Sequence, residues 1–330
     1  MSSSNSFPTS SQPWIEKYRP SSLSEVVGNN EIIATLKEIV RSGNTPNFIL
    51  AGPPGTGKTT SILAMAHEML KENFKKATME LNASDDRGIN VVREKIKSFA
   101  QHTVVLPEGL HKVVILDEAD QLTEAAQASM RVIITDYSNS TRFALACNDS
   151  SKIIEAIQSR CTVLRFNKLK DNEIMERLKI VAKEENVDFD DNGLKAIVET
   201  SSGDMRNALN NLQACANTYN GKVNEENVYR IVDIPKPKEV EKIMNLCFEN
   251  KLTEAIKGIQ SILDEGYIFI EIISVFNRVI QEMTKLEEKC RMQLLRKIVE
   301  YKMHSLDGFN SMPNPRCMVC EIFEIIKKFN

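Results

Sequence analysis

The sequence lacks any long hydrophobic run. Among its 330 residues, no apolar stretch approaches the roughly 18 residues that a bilayer-spanning helix needs. The first thirteen residues are rich in serine and proline and lack the apolar core of a secretory signal. We therefore expect residues 1–13 to form a short disordered tail, and we expect neither a membrane anchor nor an export signal.

The sequence also lacks a regular cysteine framework. Its seven cysteines are an odd number without even spacing, which favours a reducing compartment. Cys317 and Cys320 form a close pair, but a zinc site would need two further ligands and no second pair matches. Because a helical pattern covers 316–329, we expect both side chains to pack into a core.

An excess of positive charge is missing as well. The chain has 42 basic and 45 acidic residues, for a net charge of −3. A protein that binds nucleic acid with this balance must use a local basic patch. The sequence shows no interleaving of basic and aromatic residues, so stacking on bases is not expected.

The strongest positive signal is a glycine-rich loop, Gly52-Pro-Pro-Gly-Thr-Gly-Lys-Thr59. A buried-strand pattern precedes it and a helical pattern follows it, as a phosphate-binding loop requires. Glycines let backbone amides close around phosphate oxygens, and the helix N-terminus adds partial positive charge. Lys58 is then placed to reach the β- and γ-phosphates, and the Thr59 hydroxyl to ligate Mg²⁺. The predicted nucleotide-binding loop comprises Gly52, Pro53, Pro54, Gly55, Thr56, Gly57, Lys58, Thr59 and Thr60.

Strand-like apolar runs alternate with helical patterns or loops in the first half of the chain. The runs lie at 48–51, 78–81, 112–116, 142–147 and 162–166. Such alternation predicts an α/β fold with a parallel sheet covered by helices on both faces. The first run is apolar throughout, which is typical of a strand buried on both sides.

Strand signals stop after 166, and the remaining pattern is helical. We predict helices at 171–187, 192–200, 205–219, 239–249, 252–265, 268–286, 288–305 and 315–329. Asp204 is placed to cap the third of these, and 233–237 is typical of a linker. The helix at 268–286 is apolar nearly all round, which indicates burial either in a bundle core or in an oligomer.

Polar residues follow two of the predicted strands. Asp117 and Glu118 end the strand at 112–116, where Asp117 can hold the hydration shell of Mg²⁺ and Glu118 can polarise the attacking water. Asn148 ends the strand at 142–147. Because ligands bind beyond the carboxyl ends of parallel strands, Asn148 is expected near the γ-phosphate.

For each of two arginines, the sequence leaves open a surface role and a role at a nucleotide. Arg160 precedes the fifth strand, where it either stays on the surface or reaches a neighbour's nucleotide. Arg206 opens a predicted helix and either forms surface ion pairs or reaches the nucleotide from the opposite side.

A further basic feature is the pair Arg93 and Lys97. These residues are four apart and share a predicted helix face with Asn90. This face either contacts DNA phosphates or is an ordinary solvated helix face.

Several motifs in order resemble one family. They are Pro13-Trp-Ile-Glu-Lys-Tyr-Arg-Pro20, Val27-Gly-Asn29, the Gly52–Thr59 loop, Asn82-Ala-Ser-Asp-Asp-Arg-Gly88, Asp117-Glu-Ala-Asp120, Ala146-Cys-Asn148, Gln158-Ser-Arg-Cys161 and Gly203-Asp-Met-Arg206. Together they resemble the small subunits of replication factor C, an AAA+ family. The Asn82 run, the run from Thr141 to Asn148 and Ala208-Leu-Asn-Asn-Leu-Gln213 are most similar to the second-subunit type.

The resemblance implies an ATPase that acts in a five-membered, ring-shaped clamp loader. Such a complex uses ATP and Mg²⁺ to open a sliding clamp similar to PCNA and place it on primer–template DNA, in the nucleus. It implies a P-loop ATPase domain at 14–167, a helical lid at 168–233 and an all-α collar for oligomerisation at 234–330. Beyond residue 233 the resemblance is mainly one of helical pattern.

The resemblance also implies roles for individual residues. Asp117 and Glu118 drive hydrolysis with Lys58 and Thr59, Asn148 and Arg206 act as sensors, and Arg160 is inserted into the next subunit's site. The adenine pocket is lined by Ile15, Tyr18, Arg19 and Val27, and the DNA backbone is faced by Arg87, Arg93 and Lys97. One departure is Val132, which stands where the family has the second of two adjacent arginines.

Other functions fit parts of the pattern. The letters Asp-Glu-Ala-Asp at 117–120 suggest a helicase, but a helical C-terminal half leaves no second RecA-like domain. An origin-recognition subunit is disfavoured by Ser159-Arg-Cys161 and the short N-terminal box. The remaining alternative is an ATP-binding scaffold of another AAA+ complex with little hydrolysis of its own, which the intact Asp117–Glu118 pair disfavours.

Overall fold

In the computed structural model, the described residues are 12–84, 89–107, 109–219, 221–308 and 313–329, with backbone alone at 89–93, 313 and 314. Contacts divide the chain into two compact units, Met1–Glu225 and Glu226–Asn330. The tail predicted at 1–13 lies almost wholly outside the described residues.

The first unit contains a five-stranded parallel sheet. Its strands are β1 (Phe48–Ala51), β2 (Thr78–Asn82), β3 (Lys112–Asp117), β4 (Thr141–Cys147) and β5 (Thr162–Arg165), in the order β2-β3-β4-β1-β5. All five predicted strands are confirmed to within one residue at each end. Because β1 lies between β4 and β5, the loop that follows it emerges beside the ends of both of these strands.

Helices cover both faces of this sheet, as predicted. The helices of this part of the chain are α1 (Trp14–Lys17), which packs on the helix Met205–Thr218 further along the chain, and α2 (Asn30–Ser42), α3 (Lys58–Leu70), α4 (Phe74–Ala77), α5 (Ile89–Gln101), α6 (Glu124–Asp136) and α7 (Glu155–Gln158). Short 3₁₀ turns lie at Lys71–Asn73, Ala119–Gln121 and Ser150–Lys152. Side chains of α2 and α3 pack on one face, and side chains of α5, α6 and α7 pack on the other.

The strands alternate their side chains between these two cores. In β1, Phe48 and Leu50 pack with α2 and α3, whereas Ile49 and Ala51 pack with α5 and α6. Successive side chains of a strand point to opposite faces, so a strand buried on both faces must be apolar at every position. All four residues of β1 are buried, which confirms the prediction for this strand.

The first unit continues as a small helical segment, which we call the lid. It contains α8 (Asp171–Glu184), α9 (Asp191–Ser201) and α10 (Met205–Thr218). The Asp204 carboxylate accepts hydrogen bonds from the Arg206 and Asn207 amides, which confirms the predicted cap of α10. The helix α11 (Glu225–Val232) follows at the boundary between the two units.

The expectation that strands end after residue 166 is wrong in one detail. Two-residue strands β6 (Asp188–Phe189) and β7 (Lys222–Val223) pair in parallel within the lid. They tie the loop after α8 to the loop after α10, and the amide of Asp188 also bonds the carbonyl of Gly221. Two residues carry no measurable periodicity, so sequence patterns do not reveal such a pair.

The second unit is entirely helical within its described residues, as predicted. After the linker come α12 (Pro237–Phe248), α13 (Leu252–Asp264), α14 (Phe269–Glu282), α15 (Glu288–Leu306) and α16 (Pro313–Phe329), which share one apolar core. The apolar α14 is buried within this core. It ends four residues before the predicted end at Leu286, since Arg291 binds the carbonyl of Met283 and Leu286 reaches the core from the loop.

The predicted core packing of the cysteine pair is wrong for one member. Cys317 is exposed and Cys320 is half-buried. The buried face of α16 is formed by Met318, Val319 and Ile322, followed by Ile325 and Ile326. Cys317 precedes this stripe by one residue, about 100° around the helix, and so turns toward solvent.

Candidate nucleotide-binding site

An open cleft in the first unit collects most of the predicted site residues. Its walls come from four parts of the chain: the N-terminal segment, the glycine-rich loop with the start of α3, the ends of β3 and β4, and the lid. The predicted residues that line it are Ile15, Tyr18, Arg19, Val27, Pro54, Gly55, Thr56, Gly57, Lys58, Thr59, Thr60, Asp117, Glu118, Asn148 and Arg206.

The glycine-rich loop has a backbone that other residues do not adopt readily. The φ angles of Gly52, Gly55 and Gly57 are 155°, 66° and 89°. A Cβ atom at Gly55 would also lie 1.6 Å from Oδ1 of Asp204, so a side chain there would collide with the lid. The Met205 amide donates to the Gly55 carbonyl at 3.1 Å, which joins the lid directly to this loop.

The loop ends at the N-terminus of α3. Gly57 is the residue before the helix, and no side chain described in the structure caps the first turn. Amide groups at such an end are free to bind an anion, and the helix dipole favours negative charge there. The loop and the helix start therefore fit a phosphate group.

Lys58 is largely buried at the base of the cleft. Its Nζ donates to the carbonyls of Gly52 and Pro53, each at 2.8 Å, and to Oδ1 of Asn148 at 3.3 Å. Burial lowers the pKa of Lys58, while the charge of Asp117 opposes that shift. These acceptors hold a cation at the point where the loop would enclose phosphate oxygens.

Thr59 and the end of β3 meet across the cleft. The Thr59 hydroxyl donates to Oδ2 of Asp117 at 2.8 Å, and Oδ1 of Asp117 accepts the Glu118 amide at 2.9 Å. One hydroxyl and one carboxylate are the protein ligands that phosphate-loop proteins give Mg²⁺. Among the described residues no cluster of three or more His, Cys, Asp and Glu could hold a metal ion.

Glu118 has a left-handed backbone conformation, with φ of 52° and ψ of 37°. A non-glycine residue in this region is uncommon and often marks a functional turn. Its Oε2 atom accepts a hydrogen bond from Nε2 of Gln121 at 2.8 Å. The carboxylate therefore lies at the cleft in a fixed orientation on a tight turn.

Asn148 is held by both side chain and backbone. Beyond its bond with Lys58, its amide donates to Oδ2 of Asp120 at 3.3 Å, as does the Asp149 amide. Asp120 thus links the turn after β3 to the turn after β4. Sequence patterns suggested a role for Asn148 but not this use of Asp120.

The remaining predicted residues lie outside the cleft or outside the described residues. Arg160 is exposed, and its Nη1 donates to the Ala156 carbonyl at 2.8 Å and to Ser159 Oγ at 3.3 Å. Lys97 is exposed on α5. Arg87, and the side chains of Asn90 and Arg93, lie outside the described residues, so the row proposed for DNA is described only at Lys97.

Lid residues that the sequence did not suggest complete the cleft. Arg177, Met205 and Leu209 line it from α8 and α10, together with Leu169 from the connection to the lid. Met205 and Leu209 are four apart on α10, and this spacing on its own is equally typical of core packing. No local signal distinguishes them, because the cleft forms only when the lid folds over the loop.

Comparisons with known proteins follow the same division of the chain. Residues 48–169 match the model of the ATPase family associated with various cellular activities (AAA). Residues 176–217 match the RCF1/5-like AAA+ ATPase lid domain, and residues 235–314 match the replication factor C C-terminal domain.

Replication factor C subunit 2 of Arabidopsis thaliana is 50% identical over 316 residues, covering 94% of this chain and 94% of its own. The chain belongs to the replication factor C small-subunit family. Replication factor C subunit 4 of Saccharomyces cerevisiae is 44% identical and covers 96% of this chain and 97% of its own. The replication factor C small subunit of Aeropyrum pernix is 46% identical over 76% of this chain and 77% of its own.

Solved structures support the AAA+ fold of this replication factor C family member. The RuvB Holliday junction branch migration motor of Thermotoga maritima has a TM-score of 0.55 at 19% identity, covering 74% of this chain and 85% of that one. At that identity the likeness concerns the fold alone. Within the ranges that the structure describes, no helix is long and apolar enough to cross a membrane.

Proposed function

We propose that this chain is an ATPase subunit of a five-membered, ring-shaped DNA clamp loader that opens a sliding clamp and places it on primer–template DNA. The observation that carries the proposal is the cleft, where Lys58, Thr59, Asp117, Glu118 and Asn148 meet beside a lid. Membership of the replication factor C small-subunit family supports the choice of clamp loading over other AAA+ activities.

The cleft residues suit ATP with Mg²⁺. Amides of the glycine-rich loop and Lys58 would hold the β- and γ-phosphates, and Thr59 and Asp117 would hold the metal. Bound Mg²⁺ supplies neutralisation of the charge on those phosphates. Ile15, Tyr18, Arg19 and Val27 line the same cleft and would bind the base.

Hydrolysis would depend on Glu118 and two polar groups. The Glu118 carboxylate would accept a proton from the water that attacks the γ-phosphate. Asn148, held by Lys58 and Asp120, would orient that water. Arg206, at the first turn of α10, would contact the phosphates only while the lid lies over the loop.

Arg160 and the basic residues of α5 would act outside this cleft. Arg160 is exposed, and among the described residues its side chain donates to a main-chain and a hydroxyl oxygen of its own turn, so it would be available to a neighbouring subunit's nucleotide. We infer that Arg87, Arg93 and Lys97 face the DNA backbone.

We also infer the domain organisation of the chain. An ATPase domain at 14–167 and a lid domain at 168–233 would subdivide the first unit, and a collar domain at 234–330 would assemble the ring. The protein would act in the nucleus.

The test is reconstitution of the ring with the other replication factor C subunits. We expect weak ATPase activity from this chain alone and higher turnover in the ring, stimulated further by clamp and primed DNA. Steady-state phosphate release with and without clamp and DNA measures this. A ring that hydrolyses ATP at the same rate with and without both would contradict the clamp-loader proposal.

A further inference from the structure

The N-terminal segment 14–19 forms one wall of the cleft although it has little structure of its own. It contains only the four-residue helix α1, yet Ile15, Tyr18 and Arg19 all line the cleft. Such a short helix is unstable by itself. Its position must therefore come from contacts with other elements.

The contacts of this segment are with α10 and with the end of α8, both in the lid. The buried Trp14 packs α1 against α10, and its amide donates to Oε1 of Gln213 on α10 at 3.0 Å. At the other end of the segment, the Tyr18 hydroxyl and the Lys17 ammonium both donate to Oε1 of Glu185, each at 2.6 Å. Glu185 directly follows α8.

A hydrogen bond from an arginine of the lid reinforces this attachment. Nη2 of Arg177, on α8, donates to the Tyr18 carbonyl at 2.8 Å, and Arg177 also lines the cleft. We call Lys17, Tyr18, Arg177 and Glu185 the clasp. Burial raises the pKa of Glu185, but the hydrogen bonds from Lys17 and Tyr18 outweigh it and leave that pKa below its usual value. Glu185 therefore remains a carboxylate at neutral pH.

The chain beyond Pro20 is attached differently. The Leu23 amide donates to Oε1 of Glu68 on α3, at 2.7 Å, and Leu23 is buried in the core between α3 and the sheet. Asn29 exchanges two hydrogen bonds with the backbone of Asn167, just after β5. The segment before Pro20 is thus hydrogen-bonded to the lid, whereas the hydrogen bonds of Leu23 and Asn29 go to α3 and to the end of the sheet, although Gly28 also lies against Glu173 of α8.

We propose that Glu185 and Arg177 are positioning residues for the nucleotide base, because they hold segment 14–19 on the lid as part of one wall. Whenever the lid closes on the phosphate loop, this wall closes on the base, and ATP affinity depends on the clasp. The inference deepens the proposed nucleotide site and rests on it. Its ligand class is a purine nucleoside triphosphate, and the part of the ligand concerned is the base.

The test compares ligands with and without a base on the full chain. In Glu185→Ala, Tyr18 and Lys17 lose their shared acceptor, which breaks two hydrogen bonds. Since the loss of one hydrogen bond to a charged group corresponds to about a tenfold change, we expect the Kd for ATP to rise at least about tenfold. Binding of inorganic triphosphate, which has no base, should change less than about twofold under the same conversion. Isothermal titration calorimetry measures the Kd of both ligands.

Glu184→Ala is the matched control, because Glu184 is exposed and this substitution removes the same charge one residue earlier in the chain. We expect wild-type affinity for both ligands. Tyr18→Phe should weaken ATP binding. The double variant Tyr18→Phe/Glu185→Ala should bind no more weakly than Glu185→Ala alone, because Glu185→Ala already removes the acceptor of the Tyr18 hydroxyl.

Three results would overturn the inference: unchanged ATP affinity in Glu185→Ala, an equal loss for ATP and triphosphate, or an equal loss in Glu184→Ala. Each of these leaves the nucleotide site itself intact if the wild-type chain binds ATP. Failure of the wild-type chain to bind ATP would instead reject the proposed nucleotide site.

Discussion

Glu118 shows how a single residue joins backbone geometry to chemistry. Its left-handed conformation starts the 3₁₀ turn at Ala119–Gln121, and Gln121 in turn holds its carboxylate. Its amide is bound by Asp117, so the two acids are fixed relative to each other. If Glu118 is the general base, the turn that follows β3 sets the orientation of its carboxylate.

Replacing this carboxylate should separate binding from hydrolysis. Glu118→Gln keeps the size and an acceptor for Gln121 but removes the base, so we expect turnover to fall by about 10²–10⁴. The affinity for ATP should stay near the wild-type value. Phosphate release by the reconstituted ring and titration with ATP measure the two effects.

Glu124→Gln is a suitable control, because Glu124 is exposed at the start of α6 and points to no cleft residue among those described. It should hydrolyse ATP normally. Full activity in Glu118→Gln would show that another group accepts the proton.

At the scale of elements, β3 is joined to α5 by a buried lysine. Nζ of Lys112, at the first position of β3, donates to the carbonyls of Phe99, Ala100 and His102 at 2.9, 2.6 and 2.6 Å. The last carbonyls of a helix have no partner within the helix, and the ammonium protons satisfy two of them here, together with the carbonyl of His102 just beyond the helix end. Burial lowers the pKa of Lys112. The opposite end of the same strand holds Asp117.

Removing this ammonium should loosen α5 selectively. Lys112→Met keeps the length of the side chain but leaves three carbonyls without a donor, so we expect a loss of about 2–4 kcal/mol in the stability of α5. Relative to the wild-type chain, amide hydrogen exchange should become faster in the last turns of α5 and should change less in β1. The exposed Lys75→Met on α4 serves as the control and should leave exchange unchanged. Equal protection of α5 in both variants would contradict the capping role.

Secondary structure was predictable at this scale wherever it is repeated over several residues. Five strands and the main helices follow from alternation and from helical spacing, because burial on one or two faces imposes those periods. The β6–β7 pair, the early end of α14 and the exposure of Cys317 were not predictable. Each depends on which neighbour happens to supply a hydrogen bond or cover a face.

At the scale of the whole molecule, Arg160 distinguishes an isolated ATPase from a member of a ring. It does not line the cleft of its own chain, and its guanidinium donates hydrogen bonds to Ala156 and Ser159 of its own turn. An arginine supplied by a neighbour accelerates phosphoryl transfer by about 10³–10⁵. If Arg160 has this function, its loss must affect a site in another subunit.

Arg160→Ala should therefore impair the ring and spare the chain. We expect unchanged ATP affinity for the isolated chain and lower turnover in the reconstituted ring, to the extent that the neighbouring site contributes. Arg165→Ala removes an exposed arginine of β5 and is the control, with normal turnover. Loss of ATP binding by the isolated Arg160→Ala chain would show that the residue acts in its own cleft.

The sequence by itself determined the phosphate loop, the acid pair after β3 and the division into an α/β part followed by helices. These features depend on contiguous residues, because glycine torsions, helix dipoles and strand periods act over a few positions. Only the tertiary structure decided the strand order, the contact of Asn148 with Lys58 and the clasp. Glu185 lies 168 positions from Lys17, and no local rule relates residues at that separation until the lid folds over the loop.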